Sequence, residues 1–312
     1  MTPSQIKSIL ASMHQTPNKK LGQHFLIEPV VIRDAIQAAN VQAGDLVLEV
    51  GPGLGVLTNA LLDQGANVIA IEKDRAFADR LIAKADSHLN VIQGDAAHLD
   101  WIKIISSNPH ALNWKFIANI PYAITSLLLR KALWETDPPS TIVVLIQKEV
   151  ADRCLALMRA SHHSPSLKLR RTGAPRSSLL SLMIALSCSS ANIIRKVPPN
   201  CFYPPPKVDS ALLELIPMTN DERRKKWGID PEQVMKVAKI GFAHPRKQLA
   251  SNLMVFGPLN TKMSKQDIEQ ILKSIKLNPK IRAEELSAGD WVEVTKMANG
   301  LRPTANGKRS SP

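Results

Sequence analysis

Residues 47–58, VLEVGPGLGVLT, decide the fold. The stretch opens in a β-branched and aliphatic run, Leu46 to Val50, which suits a strand buried on both faces of a parallel sheet. Gly51-Pro52-Gly53-Leu54-Gly55 stops that run, and apolar residues then recur at helical spacing at Val56, Leu57, Ala60 and Leu61. Strand, glycine-rich turn and helix form the first half of a βαβ unit. The glycines let the backbone approach a ligand closely, and the helix N-terminus supplies free N–H groups. A dinucleotide fingerprint opening at Gly51 needs a glycine where Val56 stands. A P-loop needs a lysine near its end, and Val56-Leu57-Thr58 has none.

Outward from that stretch, charge divides the chain. Residues 41–150 carry 9 Lys/Arg against 12 Asp/Glu, whereas residues 151–312 carry 27 against 13. A mildly acidic ligand domain followed by a basic half suggests a polyanion gripped by one part and worked on by the other. Cys154, Cys188 and Cys201 have neither paired nor metal-like spacing, which suits a reducing compartment. No apolar run approaches a membrane span. The N-terminus lacks an apolar signal core and has no arginine before Arg33, so the expected location is the cytoplasm.

In chain order, residues 1–16 are an N-terminal extension with a short amphipathic patch (Ile6, Ile9, Leu10, Met13), expected to be partly ordered at best. A polar loop holding Gln23, His24, Phe25 and Leu26 then leads into a helix from Pro29. Strands are expected at 68–71, 91–93, 115–118 and 141–147, with helices at 77–85 and 126–134 and from Lys148. This alternation predicts an α/β fold, a doubly wound parallel sheet with ligands at the carboxyl ends of its strands. Residues 157–176, LMRASHHSPSLKLRRTGAPR, read as a flexible basic loop. His162-His163 within it lack the further spaced ligands that a metal needs. Residues 178–186 are an apolar helix or strand, residues 201–206 a rigid aromatic-proline loop, and residues 208–216 a strand. The expected domains are 17–218, bearing the glycine loop, and 219–298, a small basic helical domain. Residues 299–312 read as a disordered tail.

Four features fall at the ends of consecutive strands. The spacing Glu49-x-Gly51-x-Gly53-x-Gly55 resembles the cofactor loop of S-adenosylmethionine-dependent methyltransferases. Gly51, Gly53 and Gly55 can admit the carboxypropyl and ribose end of such a cofactor. Glu72 closes the second strand, where a carboxylate can accept two hydrogen bonds from a ribose diol. Asp95, after the third strand, can accept from an exocyclic adenine amine. The fourth feature is Asn119-Ile120-Pro121-Tyr122. Adenine's exocyclic nitrogen is a poor nucleophile because its lone pair is delocalised into the ring. The Asn119 side-chain oxygen and the Ile120 carbonyl can accept both of its hydrogens and turn the lone pair toward a methyl group. Pro121 holds that carbonyl in a fixed turn, and Tyr122 can stack on the base. Phe202, beside Tyr203, is placed to sandwich a flipped base against Tyr122. Such catalysis rests on orientation and electrostatics and needs no nucleophile–base pair.

With these residues the chain resembles the small-subunit (16S-type) ribosomal RNA adenine dimethyltransferases. The matching stretches are LGQHFL, EVGPGLGVLT, IEKD, GDA, NIPY, QKEVADR, FYPPPKVDSAL, FAHPRKQLASNL and RAEELS, spread over residues 17–298. The resemblance implies a Rossmann-like S-adenosylmethionine-dependent methyltransferase sheet with a small C-terminal helical RNA-binding domain. It implies that His24, Leu26, Gly51, Glu72, Asp95 and Asn119 line the S-adenosyl-L-methionine site, and that Asn119, Tyr122 and Phe202 handle the target adenine. The implied reaction puts two methyl groups on each of two adjacent adenosines near the 3′ end of small-subunit rRNA, with an assembling small ribosomal subunit as partner. No metal and no membrane enter, and the protein is expected to be a monomer. One departure is the long, basic 157–176 loop, where the family passes by a shorter one. Two alternatives remain: the related large-subunit rRNA enzyme, and a non-catalytic ribosome-assembly factor on the same fold. FYPPPKVDSAL and the basic helical segment favour the small subunit; Glu72, Asp95 and NIPY favour an enzyme.

Overall fold

The structure, a computed structural model, describes residues 1–18, 21–84, 86–109, 111–160, 177–254 and 264–299. The tail beyond Asn299 and the basic loop from residue 161 onward, including His162 and His163, lie outside the described residues. Two compact units emerge: Met1–Asp152 with Cys188–Thr219, and Arg153–Ser187 with Asn220–Pro312. The segment from Arg153 to Ser187, read from sequence as part of the glycine-loop domain, thus groups with the helical unit.

In the first unit α1 (Pro3–Ser12), β1 (Phe25–Leu26) and α2 (Pro29–Ala38) precede β2 (Leu46–Val50), α3 (Val56–Asp63), β3 (Asn67–Glu72) and α4 (Arg75–Ile82). Next come β4 (Leu89–Gln93), α5 (Trp101–Ser106), β5 (Lys115–Asn119), α6 (Thr125–Arg130) and β6 (Thr141–Gln147), which runs into α7 (Lys148–Ala160). Residues expected to open the basic loop, Leu157 to Ala160, extend that helix. After α8 (Leu179–Ser187) come β7 (Cys188–Val197), β8 (Phe202–Tyr203) and β9 (Ser210–Pro217). The main sheet has the order β4-β3-β2-β5-β6-β9-β7. Its first five strands are parallel, β9 runs antiparallel to β6, and β7 runs antiparallel to β9. Val47 pairs with Val68 of β3 on one side and Lys115 of β5 on the other. The glycine turn therefore leaves the centre of the sheet, where the strand order reverses and ligands bind. All five residues of β2 are buried, as a two-sided parallel strand requires.

Two elements depart from the sequence reading. β7 was not anticipated, because an edge strand with much of its length exposed shows no sustained apolar period. The N-terminal extension forms a helix rather than a partly ordered segment. Thr2 and Gln5 close a capping box at its start. Ile6 and Leu10 are buried with Phe25, Leu54 and Phe77, beneath the glycine loop.

The second unit is helical: α8, then α9 (Asn220–Trp227), α10 (Pro231–Gly241), α11 (Leu249–Leu253), α12 (Lys265–Ser274) and α13 (Ala288–Ala298). Its core centres on Trp291, which is fully buried and stacks on Phe242. A Cβ at Gly241 would lie 2.4 Å from the Trp291 ring, so only glycine lets α10 approach α13 this closely. Asn252 donates to the carbonyls of Gly241 and His244 and closes the turn after α10. Among the described residues no helix is long and apolar enough to cross a membrane.

Ile6→Ala removes a fully buried side chain and is expected to lower stability by about 2–4 kcal/mol in urea unfolding. A loss below about 0.5 kcal/mol, the size of an ordinary surface change, would mean that α1 is not part of the core.

Candidate active site

A cavity of about 180 Å³ opens at the carboxyl ends of β2, β3 and β5 and beside the turn after β4. Its wall includes His24, Leu26, Gly51, Gly53, Glu72, Asp95 and all of Asn119 to Tyr122. Residues from five separate stretches of sequence thus meet in one place. Gly55 and Phe202 do not line it.

The glycine loop is held by its own backbone. Gly51 N–H donates to the Ile71 carbonyl (2.9 Å), and Gly55 N–H to the Pro52 carbonyl (2.9 Å). Gly53 has φ +55° and packs against the Phe25 ring, where an added Cβ would sit 3.2 Å from a ring carbon. Gly55, at φ +79°, is the N-cap of α3. A Cβ there would lie 2.7 Å from Leu81 of α4, pointing away from the cavity. Gly55 is therefore required by the turn and by helix packing rather than by contact with a ligand.

Each acid has a distinct setting. Glu72 is 6% exposed. One of its carboxylate oxygens accepts from Gly53 N–H (2.9 Å) and the other from Asp74 N–H (2.8 Å). Burial raises its pKa and these backbone bonds oppose the rise. Asp95 sits nearer solvent, bonded by Lys73 Nζ (2.8 Å) and by Ala97 N–H (2.9 Å). The Lys73 hydrogen bond holds its carboxyl below the usual range, so it is an anion able to accept from an amine. Glu49 lies deeper, 2% exposed on β2 and also on the cavity wall. The Thr58 hydroxyl donates to it at 2.7 Å. Burial pushes its pKa up to about 8. The sequence reading took Glu49 only as part of the glycine-loop spacing and gave it no role, although a carboxylate inside an otherwise apolar strand is a visible signal.

Asn119 ends β5, and its Nδ2 donates to the His24 carbonyl at 3.1 Å. A carbonyl can only accept, so the amide nitrogen must face it and Oδ1 is the atom left to accept. Ile120 N–H donates to the Leu145 carbonyl (3.1 Å), and Pro121 has φ −55° and ψ 125°. The Tyr122 ring is half-buried and lies face to face with His24, centroids 6.1 Å apart and planes 24° from parallel. Phe202 departs from the expected arrangement. It pairs with Leu26 across β1 and β8 and is 3% exposed in the core with Val31, Val47 and Leu212. Tyr203 packs instead against the α1 cluster, with Lys7 Nζ over its ring.

The chain matches the ribosomal RNA adenine dimethylase family over residues 14–299. It belongs to that family. It is 35% identical over 286 residues to the ribosomal RNA small subunit methyltransferase A of Rippkaea orientalis, covering 88% of this chain and 95% of the relative. It is 34% identical over 291 residues to the protein of that name from Dehalococcoides mccartyi, covering 92% and 90%. In fold it is similar to a dimethyladenosine transferase from Plasmodium falciparum, with TM-score 0.66, 24% identity, and 89% of this chain and 99% of that one covered. The 23S rRNA methyltransferase ErmE is similar too, with TM-score 0.59, 22% identity, and 88% and 99% covered. At those identities the structural likeness bears on the fold alone.

Ribosomal RNA adenine dimethylases use S-adenosylmethionine, and the residues of this family member fit it. Each Glu72 oxygen holds one backbone N–H and keeps a lone pair for a ribose hydroxyl. The anionic Asp95 and the apolar Leu26 and Ile120 line the same cavity, which suits an adenosine with one polar edge. No cluster of three or more His, Cys, Asp or Glu among the described residues could hold a metal ion.

Glu49 sets a pH dependence whose sign follows from its burial. In the unfolded chain it ionises near the ordinary value of 4.5; in the folded protein it keeps its proton up to about 8. Between those values the folded state holds one more proton, so stability contributed by this group falls as pH rises and levels off above pH 8. Glu49→Gln should flatten that part of the stability–pH curve in urea titrations. An unchanged slope would contradict the assignment.

Proposed function

We propose that the protein transfers methyl groups from S-adenosyl-L-methionine to N6 of two adjacent adenosines near the 3′ end of small-subunit rRNA, two on each. The observation that carries the reading is the orientation of Asn119, whose amide nitrogen is held by the His24 carbonyl so that Oδ1 is the acceptor. The choice of subunit is supported by the relatives named ribosomal RNA small subunit methyltransferase A. In this reading the substrate is an assembling small subunit, the protein acts as a cytoplasmic monomer, and no metal takes part.

When bound, the cofactor supplies its sulfonium methyl as the electrophile. Glu72 would accept from the ribose hydroxyls and Asp95 from the adenine amine of the cofactor, while Gly51 and Gly53 keep the floor free of side chains. His24 and Leu26 close the near wall. Asn119 Oδ1 and the Ile120 carbonyl accept the two hydrogens of the target amine and turn its lone pair toward the methyl group. Pro121 fixes the direction of that carbonyl, and Tyr122 stacks on the target ring. The amine becomes more acidic as it is methylated, so its proton can pass to water without a strong base. A non-catalytic assembly factor would have no use for this set of acceptors.

The test is transfer of a labelled methyl group from the cofactor to under-methylated small subunits. Asn119→Ala should lower the turnover by about 100-fold or more while the subunit still binds. Near-wild-type turnover in that variant would refute the role of Asn119, and transfer confined to large-subunit rRNA would refute the substrate.

A further inference from the structure

β9, SALLELIP, is apolar but for Glu214 and its first residue, Ser210, which is fully buried. Ser210 is in register with Gln147 of β6 on one side and Val197 of β7 on the other. A buried hydroxyl needs a partner, and packing alone would be served better by alanine or valine at this position. The Ser210 Oγ lies 2.6 Å from the Tyr122 hydroxyl, on the cavity wall. The chain just before Ser210 holds a second cavity residue. The Pro204 carbonyl is 2.7 Å from His24 Nδ1, which must carry the hydrogen because a carbonyl can only accept. The His24 ring in turn lies over Tyr122, and its main-chain carbonyl holds the Asn119 amide.

We propose that residues 202–210 form a strap that positions the Tyr122 ring, with Ser210 as the positioning residue. The proposal deepens the reading of Tyr122 as the platform for the target adenine and rests on it. Stacking requires a ring but no hydroxyl; the hydroxyl is the tether. Ser210 pins the far end of the ring while His24, held by Pro204, limits the tilt of its face. A phenylalanine at 122 would keep the face and lose the fixed angle. The buried Phe202 side chain then has a separate task, anchoring the strap through its pairing with Leu26 rather than touching the base.

The test is a double-mutant cycle on the full chain with Ser210→Ala, Tyr122→Phe, the two combined, and Tyr122→Ala. Methyl transfer to under-methylated small subunits gives kcat and KM, and calorimetry gives the affinity for S-adenosylhomocysteine. Ser210→Ala and Tyr122→Phe should each lower kcat by up to about tenfold, the size of one hydrogen bond. The double variant should be no slower than either single one, because both remove the same bond. Affinity for S-adenosylhomocysteine should stay within about twofold, which a general loss of packing would not allow. Multiplicative losses in the double variant would overturn the strap. So would a wild-type kcat in Tyr122→Phe, which breaks the bond from the cavity side and leaves the buried position untouched. Tyr122→Ala separates the two claims: wild-type turnover there overturns the platform reading and the strap together, whereas a large loss alongside multiplicative effects overturns the strap alone.

Discussion

The rest of the site depends on the grip of the Glu72 carboxylate on two backbone amides, Gly53 N–H and Asp74 N–H. That single side chain, at the end of β3, fixes the loop that leaves β2 and the turn that follows β3. Its burial raises the cost of its charge, and the backbone hydrogen bonds offset it. The loop can only meet Glu72 if Gly53 adopts a positive φ and presents no Cβ to Phe25. Phe25 is in turn backed by Phe77 and by Ile6 and Leu10 of α1. The chain of support therefore runs from an N-terminal helix, through an aromatic pair, to the floor of the cavity.

The proposed acceptors for adenine are built from a different set of contacts. Asn119, His24, Tyr122, Pro204 and Ser210 come from three stretches of sequence and are joined by three hydrogen bonds and one ring contact. None of them is a nucleophile paired with a base. The proposed chemistry asks only that two carbonyl-type oxygens and one ring be held at fixed angles, which is a demand on rigidity rather than on proton affinity. In the proposed reading one set of residues holds the methyl donor and the other chooses the base, and His24 belongs to both.

Much of this was legible in the sequence, for reasons that particular residues make plain. Parallel strands buried on two faces read as unbroken apolar runs, so β2, β3, β5 and β6 stood out, and the residues that end β2, β3 and β5 reach the cavity. The misses share one cause: they depend on contacts between distant parts of the chain. Phe202 looked like a base platform because it sits beside Tyr203 and three prolines, but its pairing with Leu26, far away in sequence, turns the ring into the core. Gly55 belonged to the glycine pattern, yet Leu81 decides what that glycine is for. α1 is too short and too polar to order itself by propensity alone, and the cluster that captures it is assembled from residues up to Phe77. β7, an edge strand, was hidden by the polar residues that keep it exposed.

The account stands or falls on where the methyl donor sits. A crystal structure of the protein with S-adenosylmethionine bound would decide it directly. The account predicts the ribose hydroxyls within hydrogen-bond distance of Glu72, the adenine amine at Asp95 and the sulfonium methyl facing Asn119 Oδ1. A donor bound away from Glu72, or one whose methyl group points away from Asn119, would contradict it.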